Sequence, residues 1–235
     1  MNKAWLYRVF LVGLVPGMAQ AGSEMPPAPP PSSGSISRVN ANIIVAGGEH
    51  TGDLSTVNGS IKIGTHAQVG KATTVNGSIR IGAGATATSL TTVNGSIHVA
   101  AQAKVMGRIM AVNGSIRLAP KTLVTGQVAN VNGAIVLDGA HVGGSLETSE
   151  GNITLENTAL VDGNLNVKVS HGWFISWFSS FFRKTPRVVI GPGCTVRGTL
   201  HFERPVELYI SRQAKVGPIE GAKAMYFTGA SPPAA

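Results

Sequence analysis

Val57-Asn58-Gly59-Ser60-Ile61 decides how this chain is read, because it returns as Val75 to Ile79, Val93 to Ile97, Val112 to Ile116 and, with Ala134 for serine, Val131 to Ile135. Successive copies start 18, 18, 19 and 19 residues apart. Weaker copies at Val39-Asn40-Ala41-Asn42-Ile43 and Ser149-Glu150-Gly151-Asn152-Ile153 hold the same register, each 18 residues from its neighbour. A fixed period near 20 residues marks a solenoid, in which a coil cannot bury its apolar face until another stacks on it.

The repeat extends outward in both directions. The pentapeptide reads as a strand that continues by alternation, as in Ile61-Lys62-Ile63 and Ile97-His98-Val99, with aliphatics inside and the variable residue outside. About ten residues further on comes a small residue, any residue, then usually valine with glycine close behind, as in Ala67-Gln68-Val69-Gly70 and Ala140-His141-Val142-Gly143. Aliphatics also recur every six residues, at Val57, Ile63, Val69, Val75, Ile81, Ala87, Val93, Val99 and Val105, and are expected to point inward. Three faces per turn predict an all-β, single-stranded parallel β-helix of about nine coils with a triangular cross-section. Only 13% of residues are charged, and glycine supplies 30 of 235, a balance suited to tight β coils and not to a helical bundle.

The flanks divide the chain. Residues 1–21 read as a secretory signal, with Lys3 and Arg8, an apolar run from Val9 to Val15, and Ala19-Gln20-Ala21 as a small-x-small cleavage site. The expected destination is the periplasm or cell envelope. Residues 22–37 form a Pro/Ser-rich linker, 38–217 the β-helix domain, and 218–235 a C-terminal cap and tail. One insertion, at 170–185, interrupts the rhythm. It holds Trp173, Phe174, Trp177, Phe178, Phe181 and Phe182 followed by Arg183 and Lys184, and its aromatic pairs four residues apart predict a helical or loop segment that contacts a membrane surface or a partner. A single cysteine, Cys194, excludes an internal disulfide framework, and its column is otherwise held by alanines.

The corner glycines, the Val-x-Gly-x-Ile pattern and the period of 18 resemble the bactofilin family, polymer-forming cytoskeletal proteins built as a right-handed triangular parallel β-helix. The resemblance covers roughly residues 39 to 217 and implies a protein that associates with copies of itself. The Thr-Val-Asn-Gly-Ser-Ile phrase is also similar to β-strand-repeat proteins described as adhesins.

Stacked coils turn equivalent residues into ladders. Asn58, Asn76, Asn94, Asn113 and Asn132 should form one at a bend, where asparagine tolerates left-handed geometry and its amide can bond the next rung. Lys62, Arg80, His98 and Arg117 should form an outward basic stripe, despite repulsion of about 1 kcal/mol per adjacent pair of like charges in water. Seven basic and no acidic residues lie between Lys62 and Lys121, and five acidic and no basic ones between Asp138 and Asp162. The stripe suits an anionic envelope polymer such as lipopolysaccharide or peptidoglycan. Nucleic acid is disfavoured by export and by the lack of aromatics interleaved with the stripe.

Catalysis finds little support. Carboxylates are too few for a polysaccharide-cleaving β-helix. Val189 to Val196 looks like a coil of a hexapeptide-repeat acyltransferase, and His66, His98, His141 and His201 are possible bases, yet an exported protein would lack acyl-CoA. The sequence is thus read as a non-enzymatic scaffold without catalytic residues, metal or cofactor. An adhesin-like binding module is the alternative.

Overall fold

A computed structural model describes residues 34–169 and 185–232, all within the compact unit Pro31–Ala235. The expected signal segment, most of the linker and the aromatic insertion with Trp173, Phe174, Trp177, Phe178, Phe181, Phe182, Arg183 and Lys184 lie outside the described residues.

The described chain is a parallel β-solenoid of about ten turns, with no helix. The first face stacks strands from Ile43–Val45 through Ile61–Ile63 and Ile97–Val99 to Ala224–Phe227. The second runs from His50–Thr51 to Lys215–Val216, and the third from Ile36–Arg38 to Ile219–Glu220. Every pairing is parallel, and the partner of a residue is the one a coil away, as in Ile61↔Ile79↔Ile97↔Ile116. Where the insertion intervenes the step is 35 residues, Ile153↔Val188, yet the register resumes. Most inner columns are buried aliphatics, each valine, leucine or isoleucine stabilising by about 1.5–3 kcal/mol. Cys194 falls in the alanine column at 0% exposure, and burial pushes its thiol pKa up.

Two expectations are corrected. The pentapeptide is not a strand but a corner: Val57 and Asn58 end Leu54–Asn58, Gly59 and Ser60 make the bend, and Ile61 opens the next face. In consequence Val57, Val75 and Val93 do not point inward; they are 42%, 38% and 36% exposed. The inner position belongs to the preceding threonines, Thr56, Thr74 and Thr92, at 2%, 0% and 0%. Counting by twos from Leu54 along the strand reaches Thr56, and only threonine has valine's shape plus a hydroxyl for the bend. Thr56 Oγ1 donates to the Ala41 carbonyl at 2.9 Å, Thr74 to Gly59 at 2.8 Å and Thr92 to Gly77 at 2.9 Å. The solenoid also continues past residue 217. Ile219–Glu220 pairs with Leu200–Phe202, and Ala224–Phe227 with Glu207–Ser211, so the segment expected as a cap forms the last coil.

The threonine column exposes one defect. Asn130 occupies the same position, is 4% exposed, and neither of its amide atoms has a hydrogen-bond partner. A buried unpaired polar group costs about 1–3 kcal/mol. Asn130→Thr is therefore expected to raise the melting temperature by supplying the hydroxyl used at 56, 74 and 92. A fall would show that the amide is better accommodated than the column geometry allows.

Candidate functional site

The corner between the third and first faces explains its sequence residue by residue. Above each bend glycine there is no room for a side chain, because a Cβ at Gly77, Gly95 or Gly114 would overlap the carbonyl oxygen of the glycine one coil below. The serine hydroxyls form a second column: the backbone N–H of Ser78 donates to Ser60 Oγ at 3.2 Å, that of Ser96 to Ser78 Oγ at 3.3 Å and that of Ser115 to Ser96 Oγ at 3.2 Å.

The asparagine ladder is continuous. Each Nδ2 donates to the Oδ1 of the coil before, from Asn58 to Asn40 at 2.6 Å, Asn76 to Asn58 at 2.8 Å, Asn94 to Asn76 at 2.9 Å, Asn113 to Asn94 at 3.0 Å and Asn132 to Asn113 at 3.1 Å. Left-handed backbone is not its reason, since only Asn40 has a positive φ, 57°. The amides are there to bond one another along the stack, each contributing about 0.5–1.5 kcal/mol. Sequence reading named this ladder but missed the threonine and serine columns beside it. The signal was present, since threonine precedes valine at 56, 74 and 92.

The expected basic residues do meet. Lys62, Arg80, His98 and Arg117 are paired in register on four consecutive rungs of the first face, all pointing outward. Beyond Arg117 the same column continues as Val136, Thr154, Val189 and Tyr209. Small residues flank it, Ser60, Ser78, Ser96 and Ser115 on one side and Gly64, Gly82, Ala100 and Ala119 on the other. Burial, reinforced by Arg117 and Arg80, holds the His98 pKa below the usual histidine range, so the ring is neutral at pH 7. Among the described residues, no hydrogen bond or ion pair engages the side chains of Lys62, Arg80 or Arg117.

The later coils are built differently. Asp162 Oδ2 pairs with His141 Nε2 at 2.7 Å while its Oδ1 accepts from Arg197 Nη1 at 2.6 Å, and these contacts, the His141 hydrogen bond first, hold its carboxyl below the usual range. Lys168 pairs with Glu147 at 2.9 Å, His201 with Glu220 at 3.0 Å, and the Arg187 guanidinium lies 4.7 Å from the Tyr209 ring centre. Of these links only Asp162 to Arg197 spans the insertion, a step of 35 residues that concealed it from the repeat pattern. The four histidines considered as bases stand apart. His98 is on the first face, His141 on the second, His201 on the third, and His66 at a left-handed corner, φ 56°, against Gly84. No group of three or more metal-ligating side chains occurs among the described residues.

Comparison with protein-family models, curated proteins and solved structures finds no match for this chain.

Proposed function

We propose that this protein is a non-enzymatic structural element of the bacterial cell envelope that assembles with copies of itself through the ends of its solenoid. The observation that carries this reading is the state of the terminal coils. Among the described residues, Ile36–Arg38 and Ile43–Val45 pair on one side only, as do Lys215–Val216, Ile219–Glu220 and Ala224–Phe227 at the other end. Unpaired strand edges join other chains. Exposed apolar side chains accompany both edges, Val39 at 67% and Ile44 at 72% on the first coil, Met225 at 44% and Tyr226 at 58% on the last. The signal-like segment around Val9 to Val15 supports the envelope, and the resemblance to polymer-forming β-helices supports assembly.

Ile44 offers a clean test. Ile43 N–H donates to Ser60 O and Val45 O accepts from Gly64 N–H, so alternation turns the N–H and C=O of Ile44 toward the open edge. Ile44→Pro removes that edge donor without touching a bond inside the molecule. Sedimentation of the unaltered protein should show species growing with concentration, and the proline variant should stay smaller at an unchanged melting temperature. A strictly monomeric profile of the unaltered protein at high micromolar concentration and low salt overturns the reading.

A further inference from the structure

The basic column on the first face has properties that assembly through the ends does not use. In the later coils Lys168, Arg187, Arg197 and Arg204 each contact a partner inside the molecule, Arg204 through the Ser149 carbonyl at 2.9 Å. Lys62, Arg80 and Arg117 have none among the described residues, and no carboxylate stands beside them on that face. Stacking sets Lys62 and Arg80 one inter-strand spacing apart, about 4.8 Å, and Arg80 and Arg117 two spacings apart across His98, so Lys62 and Arg117 are about 14 Å apart. Like charges in so regular a row repel one another, and an anion laid along them relieves that repulsion.

The surroundings narrow the ligand. The column is one residue wide, and its flanks are serine, glycine and alanine, so it forms a row of cations on a low, flat floor. A bilayer surface would want apolar side chains to insert and charges spread over a plane. Here the charges lie on a line, which fits an extended polymer. Both ends of the line are defined. Before Lys62 the column holds Ile44, and beyond Arg117 it turns uncharged at Val136, past which the tail residues Ala230, Ser231 and Pro232 close a groove of about 350 Å³ against Thr154, Arg187 and Val189. The serines add a second contact. The Oγ of Ser60, Ser78 and Ser96 each accept a backbone N–H, which leaves the hydroxyl proton free to donate outward.

We propose that this column binds a linear anionic polysaccharide lying along the solenoid axis, with its carboxylates opposite the cationic rungs. A chain of linked uronic acids carries one carboxylate per sugar, and in a two-fold extended chain every second carboxylate faces the same side, which suits rungs two apart such as Arg80 and Arg117. Arg80 and Arg117 each grip a carboxylate with two parallel N–H donors, Lys62 contributes a point charge, and the neutral His98 imidazole occupies the rung between the arginines. The serine hydroxyls meet the sugar hydroxyls.

The test uses the purified protein and polygalacturonate oligomers of increasing length. Affinity should rise with length until the four rungs are filled and then level off. Replacing Lys62, Arg80 and Arg117 together by serine should weaken binding at least about tenfold, since each charge-assisted contact is worth about a factor of ten. Lys104→Ser, Arg108→Ser and Lys121→Ser together remove the same charge from other positions and should leave affinity nearly unchanged. All six side chains are exposed, so both variants should keep the parent melting temperature. Equal losses in the two variants would reduce the effect to net charge and overturn the proposal. So would equal binding of the fully methyl-esterified oligomer, tighter binding to phosphatidylglycerol vesicles or polyphosphate, or no binding at all.

Discussion

Gly77→Ala is expected to destabilise the protein by about 4 kcal/mol or more, a cost far above the usual penalty for alanine in place of glycine. The Cβ would overlap the carbonyl oxygen of Gly59 and stand 3.0 Å from the Ser60 nitrogen, all backbone atoms that cannot swing aside. Overpacking alone costs about 1–3 kcal/mol. Here the coils can separate only by breaking the Asn76–Asn58, Ser78–Ser60 and Thr74–Gly59 bonds, each worth about 1 kcal/mol. Gly34→Ala is the control, since nothing lies within 4 Å of its Cβ position. Denaturant unfolding compares them. Similar midpoints for the two variants would mean that the coils do not approach through their backbones at this corner.

Deleting Val75 to Thr92 should leave a folded protein that is one coil shorter. The deletion joins Thr74 to Val93, and because Thr74 pairs with Thr92 the junction restores Thr-Val-Asn-Gly-Ser with Asn94 set above Asn58. Each coil contacts only its neighbours, so the loss is one stacking interface. Removing half as much, Val75 to Ala83, should abolish folding. It brings Gly84 onto the corner and moves every later residue half a coil out of register, placing Arg108 at the buried site of Val99 and Lys104 at the bend site of Gly95. Circular dichroism and thermal melting report both outcomes. If the whole-coil deletion fails as badly as the half-coil one, stacking of independent coils does not explain the stability.

Much of this architecture is legible in the sequence because a solenoid writes its spacing into the chain. Ile61, Ile79, Ile97 and Ile116 announce a common column by recurring one coil apart, and Lys62, Arg80, His98 and Arg117 follow as their outward neighbours. The threonines were missed for a physical reason. Alternation holds along one strand but is not conserved across a bend, and Val57 was counted from the wrong side of it. The last coil was missed because Ile219–Glu220 and Ala224–Phe227 lack the corner phrase and are recognised only through their backbone partners. The His141–Asp162–Arg197 cluster needs a register that jumps 35 residues between its last two members, which no fixed period supplies.

The near-identity of the corner columns also bears on how the chain finds its alignment. Between Val57 and Ser96 the coils have equal length and the same threonine, asparagine, glycine and serine contacts. A chain that skipped one of these coils and looped it out would therefore recreate nearly every bond of the native arrangement. The native chain itself accommodates such a detour, since the step from Ile153 to Val188 is almost two coils long. Local chemistry in this region cannot tell neighbouring alignments apart, which makes the landscape there nearly degenerate. Discrimination must come from pairs that occur once, such as Asp162 with Arg197 and Lys168 with Glu147. Correct folding is then propagated from the least repetitive coils toward the most repetitive ones. Native-state hydrogen exchange should find slower opening around Asp162 than around Asn76, and the reverse order would contradict that direction.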